Sequence, residues 1–197
     1  NGKGKEYDKY NGELLFSGIY LNGKRNGHGE EYKLIPFEQS SYESNYYSYL
    51  SRKNSKNIII FSGEYLNGER KKGNEYNYDE KLVYEGGFLN GKRNGKGKLY
   101  FKDDKLKYEG EFLNGKKNGK GVEYERFPDI KYVGEFLNGK KNGKIKEYIY
   151  NSGYCYNINI NDNYKLLFEG EYFNNYRIKG KEYYQNGKLF FEGEYLF

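Results

Sequence analysis

Residues 108–124 read Tyr108-Glu-Gly110-Glu-Phe112-Leu-Asn-Gly-Lys-Lys-Asn-Gly-Lys-Gly-Val-Glu-Tyr124, and the chain then returns to Tyr132-Val-Gly134-Glu-Phe136. Much of the 197-residue chain is this sentence again. An aromatic-x-Gly-x-aromatic box recurs at Phe16/Gly18/Tyr20, Phe61/Gly63/Tyr65, Tyr84/Gly86/Phe88, Tyr108/Gly110/Phe112, Tyr132/Gly134/Phe136, Phe168/Gly170/Tyr172 and Phe191/Gly193/Tyr195. Successive boxes begin 45, 23, 24, 24, 36 and 23 residues apart. Self-similarity at a short period marks a repeat array, whose core lies between neighbouring units.

Inside each box every second residue is a ring or a glycine, and the residues between are mostly Glu. That is the alternation of a strand. Leu-Asn-Gly-Lys or a relative follows at Leu21–Lys24, Leu66–Glu69, Leu89–Lys92, Leu113–Lys116 and Leu137–Lys140. Asn-Gly between alternating segments signals a hairpin turn, because both residues accept positive φ. A second strand then ends on a tyrosine at 32, 76, 100, 124, 148 or 183. From Tyr76, Tyr100, Tyr124 and Tyr183 the next box lies eight residues on, across turn residues such as Asp103-Asp104 and Asn186-Gly187. Hairpins joined by a second set of turns make one antiparallel meander. The spacing predicts rings and glycines on one face of it, with Glu on the back.

Two of the return connections are longer, at 33–60 and 149–167. The second predicts a hairpin whose strands simply run on, turning at Asn161–Asn163. The first carries Tyr42, Tyr46 and Tyr49 at helical spacing within Glu38–Ser51, which predicts a short helix or a loop. Asn1–Tyr7 reads as the second half of a repeat, as expected of a piece of a longer chain.

Composition agrees with strands. Aromatic residues are 20% of the chain, with Tyr 26, Phe 13, Trp 0 and Gly 27, and neither Ala nor Thr occurs. Absence of the best helix former argues against helices, while rings and glycines suit stacked strands. The net charge of +6 and a pI of about 9.0 favour anionic partners. A single cysteine, Cys155, excludes an internal disulfide and fits a reducing, intracellular compartment. The apolar run Ile58–Phe61 is too short to cross a bilayer.

Nothing in the pattern asks for catalysis, a metal or a cofactor. His28 is the sole histidine and has no ligand cluster around it. Gly91-Lys-Arg-Asn-Gly95-Lys96 is one residue short of a phosphate-binding P-loop and has Gly97 where Ser or Thr is needed. Glu109 and Glu111 recur in most boxes and so belong to the repeat, not to an acid/base pair.

Box and loop together resemble the MORN (membrane occupation and recognition nexus) repeat, roughly Tyr-x-Gly-x-Trp-x-Asn-Gly-Lys-x-x-Gly-x-Gly at about 23 residues per unit. The resemblance covers nearly all of 1–197 outside the two insertions. It departs where Trp is expected, since Phe or Tyr stands at 20, 65, 88, 112, 136 and 172. Repeat two keeps only Gly73 of the paired glycines, and repeat five reads Gly143-Lys-Ile145. The resemblance implies an all-β, elongated single-layer antiparallel meander of about six and a half to seven hairpins with an aromatic groove. It also implies a non-enzymatic scaffold or a membrane-associated module, often dimeric, in the cytoplasm or at a membrane or the cytoskeleton.

Two surfaces are candidates. The aromatic groove, with Tyr84, Phe88, Tyr108, Phe112, Tyr132, Phe136, Tyr100, Tyr124 and Tyr148, would take a peptide or helix of a protein partner, or a second copy. The loop pairs Lys24-Arg25, Lys92-Arg93, Lys116-Lys117 and Lys140-Lys141 would line one edge, roughly 10 Å apart, as a comb for an acidic membrane surface. Nucleic acid is not among the expected partners.

Overall fold

The structure, a computed structural model, describes residues 1–35, 56–126, 129–150 and 164–196. It is all-β, an open antiparallel meander of fourteen strands whose order in the sheet follows the chain. The chain divides into two compact units. The first holds β1 (Gly2–Tyr7), β2 (Leu14–Leu21), β3 (Lys24–Ile35), β4 (Lys56–Leu66), β5 (Glu69–Tyr76) and β6 (Leu82–Leu89). The second holds β7 (Lys92–Tyr100), β8 (Leu106–Leu113), β9 (Lys116–Arg126), β10 (Asp129–Leu137), β11 (Lys140–Tyr150), β12 (Tyr164–Phe173), β13 (Tyr176–Tyr183) and β14 (Leu189–Glu194).

The Asn-Gly turns behave as their chemistry requires. Leu113 pairs with Lys116, so Asn114 and Gly115 alone make the bend, at φ of 50° and 84°. Such a left-handed pair matches the twist of the flanking strands. The second Asn-Gly of each loop has a different job. Phe112 pairs with Lys117 and Gly110 with Gly121, leaving Asn118, Gly119 and Lys120 opposite Glu111 alone. Gly119, at φ 82°, supports this bulge. Return turns close on a third pattern, with Tyr184 N–H donating to the Lys188 carbonyl and Gly187 in the left-handed region.

A two-residue turn pairs i with j such that their sum is odd, so the outward parity reverses on the return strand. Phe16 therefore faces Glu31, and Tyr108 faces Glu123. Each closing tyrosine comes one residue later and points to the opposite face. The expectation of one ring face thus holds for the boxes and fails for the closing tyrosines. Their neighbours Glu31, Glu75, Glu123, Glu147 and Glu182 lie on the ring side instead.

With no second layer among the described residues, the rings serve as the core. In the first unit Phe16 meets Tyr20 and Tyr65 edge to face at 5.7 and 5.0 Å, and Phe61 meets Tyr65 and Phe88 at 5.6 and 5.3 Å. In the second, Tyr108 meets Phe112 and Phe136, both at 5.2 Å. In these three boxes the first ring thus contacts the second ring of its own box and that of the next. Such edge-to-face pairs add about 0.5–1.5 kcal/mol beyond area burial. Room for them comes from glycine: a Cβ on Gly121 would lie 2.6 Å from Cζ of Tyr108.

The long returns extend strands already present. β3 and β4 remain paired to Ile35 and Lys56, and β11 and β12 to Tyr150 and Tyr164. The helix expected within Glu38–Ser51, the turn at Asn161–Asn163 and Cys155 lie outside the described residues.

Candidate functional site

In five loops the basic residue two positions after the turn, Arg25, Arg70, Lys117, Lys141 or Arg177, folds back over the rings. In the first unit the Arg25 guanidinium sits 4.1 Å from the Phe16 ring centroid and pairs with Glu6 at 2.6 Å and Glu31 at 3.3 Å. Arg70 covers Phe61 at 4.3 Å and bonds Glu31 and Glu75. In the second unit Lys117 lies 5.2 Å from Phe136 and pairs with Glu123, while Arg177 covers Phe168 at 4.5 Å and pairs with Glu147 and Glu182. A cation on a ring face, held there by a partly buried carboxylate, closes the open side of the core.

Tyrosine hydroxyls complete these sets. Tyr20 donates to Glu6, Tyr65 to Glu31 and Tyr172 to Glu147. Where Leu99 replaces the glutamate, the ring one box later is Phe112, which has no hydroxyl to satisfy. Burial alone would raise the Glu31 carboxyl, but the Arg70 and Tyr65 hydrogen bonds hold it below its ordinary value. Burial and the Glu6 carboxylate push the Tyr20 phenol up to about 12. Burial first, then Glu31, raises Tyr65 as well.

Repeat five departs from this plan for a local reason. Ile145, 1% exposed, stands opposite Gly134 where other repeats place a second glycine. Tyr84 and Tyr108 send their hydroxyls to the carbonyls of Gly87 and Glu111, but Tyr132 turns to the Glu125 carboxylate. Lys141 follows, 3.5 Å from the Tyr132 centroid and 3.2 Å from Glu125.

The basic comb is therefore divided. Lys24, Lys92, Lys116 and Lys140 are exposed, whereas Arg25, Lys117 and Lys141 turn into the ring face and Arg93 is half-buried. The turn amides are also engaged. Gly68 N–H donates to the Arg25 carbonyl, Gly115 to Arg93, Gly139 to Lys117 and Asn175 to Lys141, at 2.8–3.0 Å. These four turns thus dock on the loop before them. One apolar side chain beside each turn remains about half exposed: Leu21, Leu66 and Leu89 in the first unit, Leu113, Leu137 and Phe173 in the second.

The nine groove candidates also separate. Tyr84 and Phe88 in the first unit, and Tyr108, Phe112, Tyr132 and Phe136 in the second, are buried in the ring rows. Tyr100, Tyr124 and Tyr148 are half-buried on the opposite face of the second unit. There Tyr124 pairs directly with Lys131, and Lys131 with Tyr148. Lys131 Nζ lies 5.0 Å from the Tyr148 ring and 4.1 Å from Tyr164. Lys107, which precedes Tyr108 and so shares this face, lies 5.5 Å from Phe101. Lys107 and Lys131 are absent from the sequence-derived candidates. The signal for them was the residue before each box, once the parity reversal is applied.

Further along the same face, a shallow concavity of about 680 Å³ is walled by cross-strand pairs, Lys146–Glu169 and Lys181–Glu192 at 3.2 and 3.3 Å. A third pair, Lys179 with Glu194 at 3.5 Å, lines it as well. Among the described residues no group of His, Cys, Asp and Glu could hold a metal ion, and no helix is long and apolar enough to cross a membrane. Compared with known families, the MORN repeat matches residues 16–33, 84–105, 108–124 and 132–144. No curated protein matches the chain.

Proposed function

Taking this chain as one built of MORN repeats, we propose that it is a non-enzymatic scaffold that binds a segment of another protein and self-associates. MORN repeats in general are interaction modules for protein or membrane lipid. The observation that carries the protein reading is the row Tyr124–Lys131–Tyr148, in which half-buried rings stand in register across adjacent strands. A rigid row of aromatic side chains offers contact area at small entropic cost, as in many protein interfaces. The buried box rings act behind it as support.

A display library of peptide segments panned on the purified chain tests this reading. Enriched segments are expected to lose binding to a Tyr124→Ser/Tyr148→Ser variant that still folds. Failure to enrich any segment, or equal binding to that variant, removes it. Light scattering over a concentration series tests self-association, which a constant monomer mass would exclude.

A second reading has its own observation. Four loops set an exposed lysine three residues beyond an exposed leucine turn partner, as in Leu113 with Lys116 and Leu137 with Lys140. That combination suits an acidic phospholipid surface, with about 1 kcal/mol per basic residue. Flotation with acidic liposomes at low and physiological salt decides it. Binding that survives Lys24, Lys92, Lys116 and Lys140 all changed to Ser would sink the lipid reading.

A further inference from the structure

We propose that the row Tyr100, Lys107, Tyr124, Lys131, Tyr148 on the second unit is a docking surface for an acidic, proline-rich segment in the polyproline II conformation. The inference rests on the scaffold reading and names the chemistry of its partner. Leu99 pairs with Tyr108 on the ring side, so Tyr100 projects to the same face as Tyr124 and Tyr148. These three tyrosines occupy β7, β9 and β11, every second strand. Neighbouring strands lie about 4.8 Å apart, so the rings repeat at about 9.6 Å along a line across the strands.

A polyproline II helix has three residues per turn at about 3.1 Å each, so one of its edges repeats at about 9.3 Å. Prolines at every third position would therefore meet successive tyrosine gaps with little cumulative mismatch over three rings. Flat aromatic ridges are the surfaces that such segments use, because the segment is already extended and loses little entropy on docking. Continuous stacking of nucleic-acid bases is a poorer match, since bases stack one upon another and the tyrosines are separated by a full strand.

The charge of the partner follows from the lysines. In the adjoining positions of the same face cations are paired, Lys98 with Glu109 and Lys146 with Glu169. Lys107 and Lys131 rest instead on rings, Lys107 on Phe101 and Lys131 on Tyr148 and Tyr164, with no carboxylate bonded to either among the described residues. A carboxylate between prolines would find each of them. The first unit supplies a built-in contrast. Its closing tyrosines Tyr32 and Tyr76 flank Ile59 and Ile60 with no lysine between, and the Tyr32 hydroxyl is spent on Glu30.

Fluorescence anisotropy with labelled (Pro-Pro-Glu)4 tests the proposal on the whole 197-residue chain. Saturable binding is expected, weakened about tenfold or more by Lys107→Ala/Lys131→Ala and by Tyr124→Ala. Tyr124→Phe should retain most of it, and Tyr76→Ala should leave it unchanged. Circular dichroism confirms that each variant is folded. Equal binding of (Gly-Ser-Glu)4 would show that charge alone acts and overturn the proposal, as would tighter binding of (Pro-Pro-Lys)4 or of oligo(dT). No binding of (Pro-Pro-Glu)4 overturns it too. If panned segments still depend on Tyr124 and Tyr148 but are neither acidic nor proline-rich, this inference fails while the scaffold reading stands.

Discussion

The Glu147 carboxylate, 2% exposed, receives the Arg177 guanidinium in a two-pronged contact, Nε to Oε1 and Nη2 to Oε2, both at 2.7 Å. The same guanidinium lies over the Phe168 ring and reaches Glu182, so one side chain ties together three strands of the second unit. The core of a one-layer sheet is closed by such ion pairs where other folds would place a second layer of apolar side chains.

Removing one partner should therefore cost more than removing both. Glu147→Ala leaves Arg177 facing a desolvated gap, and a loss of about 3 kcal/mol is expected, at the low end for buried pairs because Arg177 keeps some solvent contact. Glu147→Leu/Arg177→Leu should recover most of that loss. Urea unfolding of the wild type and these two variants measures it; equal losses for the single and double variants would refute the account.

Stability should fall at both ends of the pH scale. Tyr20 and Tyr32 titrate at about 12 in the fold, Tyr20 mainly through burial and Tyr32 mainly through its bond to Glu30. Raised phenols favour the native state fully below pH 10, their unfolded value, and that contribution is lost as pH climbs from there through 12. Glu6, held down chiefly by Arg25, and Glu31 have pKa values below the ordinary 4.5. Their contribution is present above 4.5 and lost as pH falls through the folded values. Thermal melts from pH 2 to 12 should give a plateau bounded by these two declines. A melt still at plateau height at pH 12 would be inconsistent with buried hydrogen-bonded phenols.

Gly121 and Ile145 occupy equivalent places in successive repeats, and opposite changes of size at the two should each destabilise the fold. Gly121→Ala drives a methyl into the Tyr108 ring and is expected to cost about 1–3 kcal/mol by overpacking. Ile145→Gly empties a filled slot at about 2–5 kcal/mol, toward the lower end if Tyr132 swings in from Glu125. Tyrosine fluorescence and urea titration report both. A stabilising Gly121→Ala would mean the ring is not seated where the geometry puts it.

The turn asparagines should tolerate only one kind of change. Asn138 sits at φ 51° with Gly139 at 89°. Asn138→Gly should be near neutral, whereas Asn138→Val should cost about 1–2 kcal/mol through left-handed strain. Equal melting temperatures for the two variants would contradict the turn assignment.

The boxes, the Asn-Gly bends and the chain-order meander were all legible in the residue pattern, because each depends on local chemistry within a few positions. Two things were not. Whether Lys116 and Lys117 both reach solvent depends on the twist that brings Lys117 over Phe136, and adjacent lysines look alike in a string of letters. The face of Tyr124 was in principle readable from the two-residue turn at Asn114-Gly115, but uniform even spacing concealed the reversal. Repeat five shows the opposite case. Ile145 for glycine is plain in the sequence, and its consequence for Tyr132 needed the ring packing to be seen.

The direction of the turn contacts gives the array a grain. Four bends donate an amide backwards, as Gly139 does to Lys117 and Gly115 to Arg93, so in these contacts the acceptor precedes its donor along the chain. A hairpin emerging from the ribosome finds the carbonyl it needs already in place, since synthesis delivers the earlier hairpin first. An array joined in this way is expected to lengthen in chain order, each hairpin serving as template for its successor.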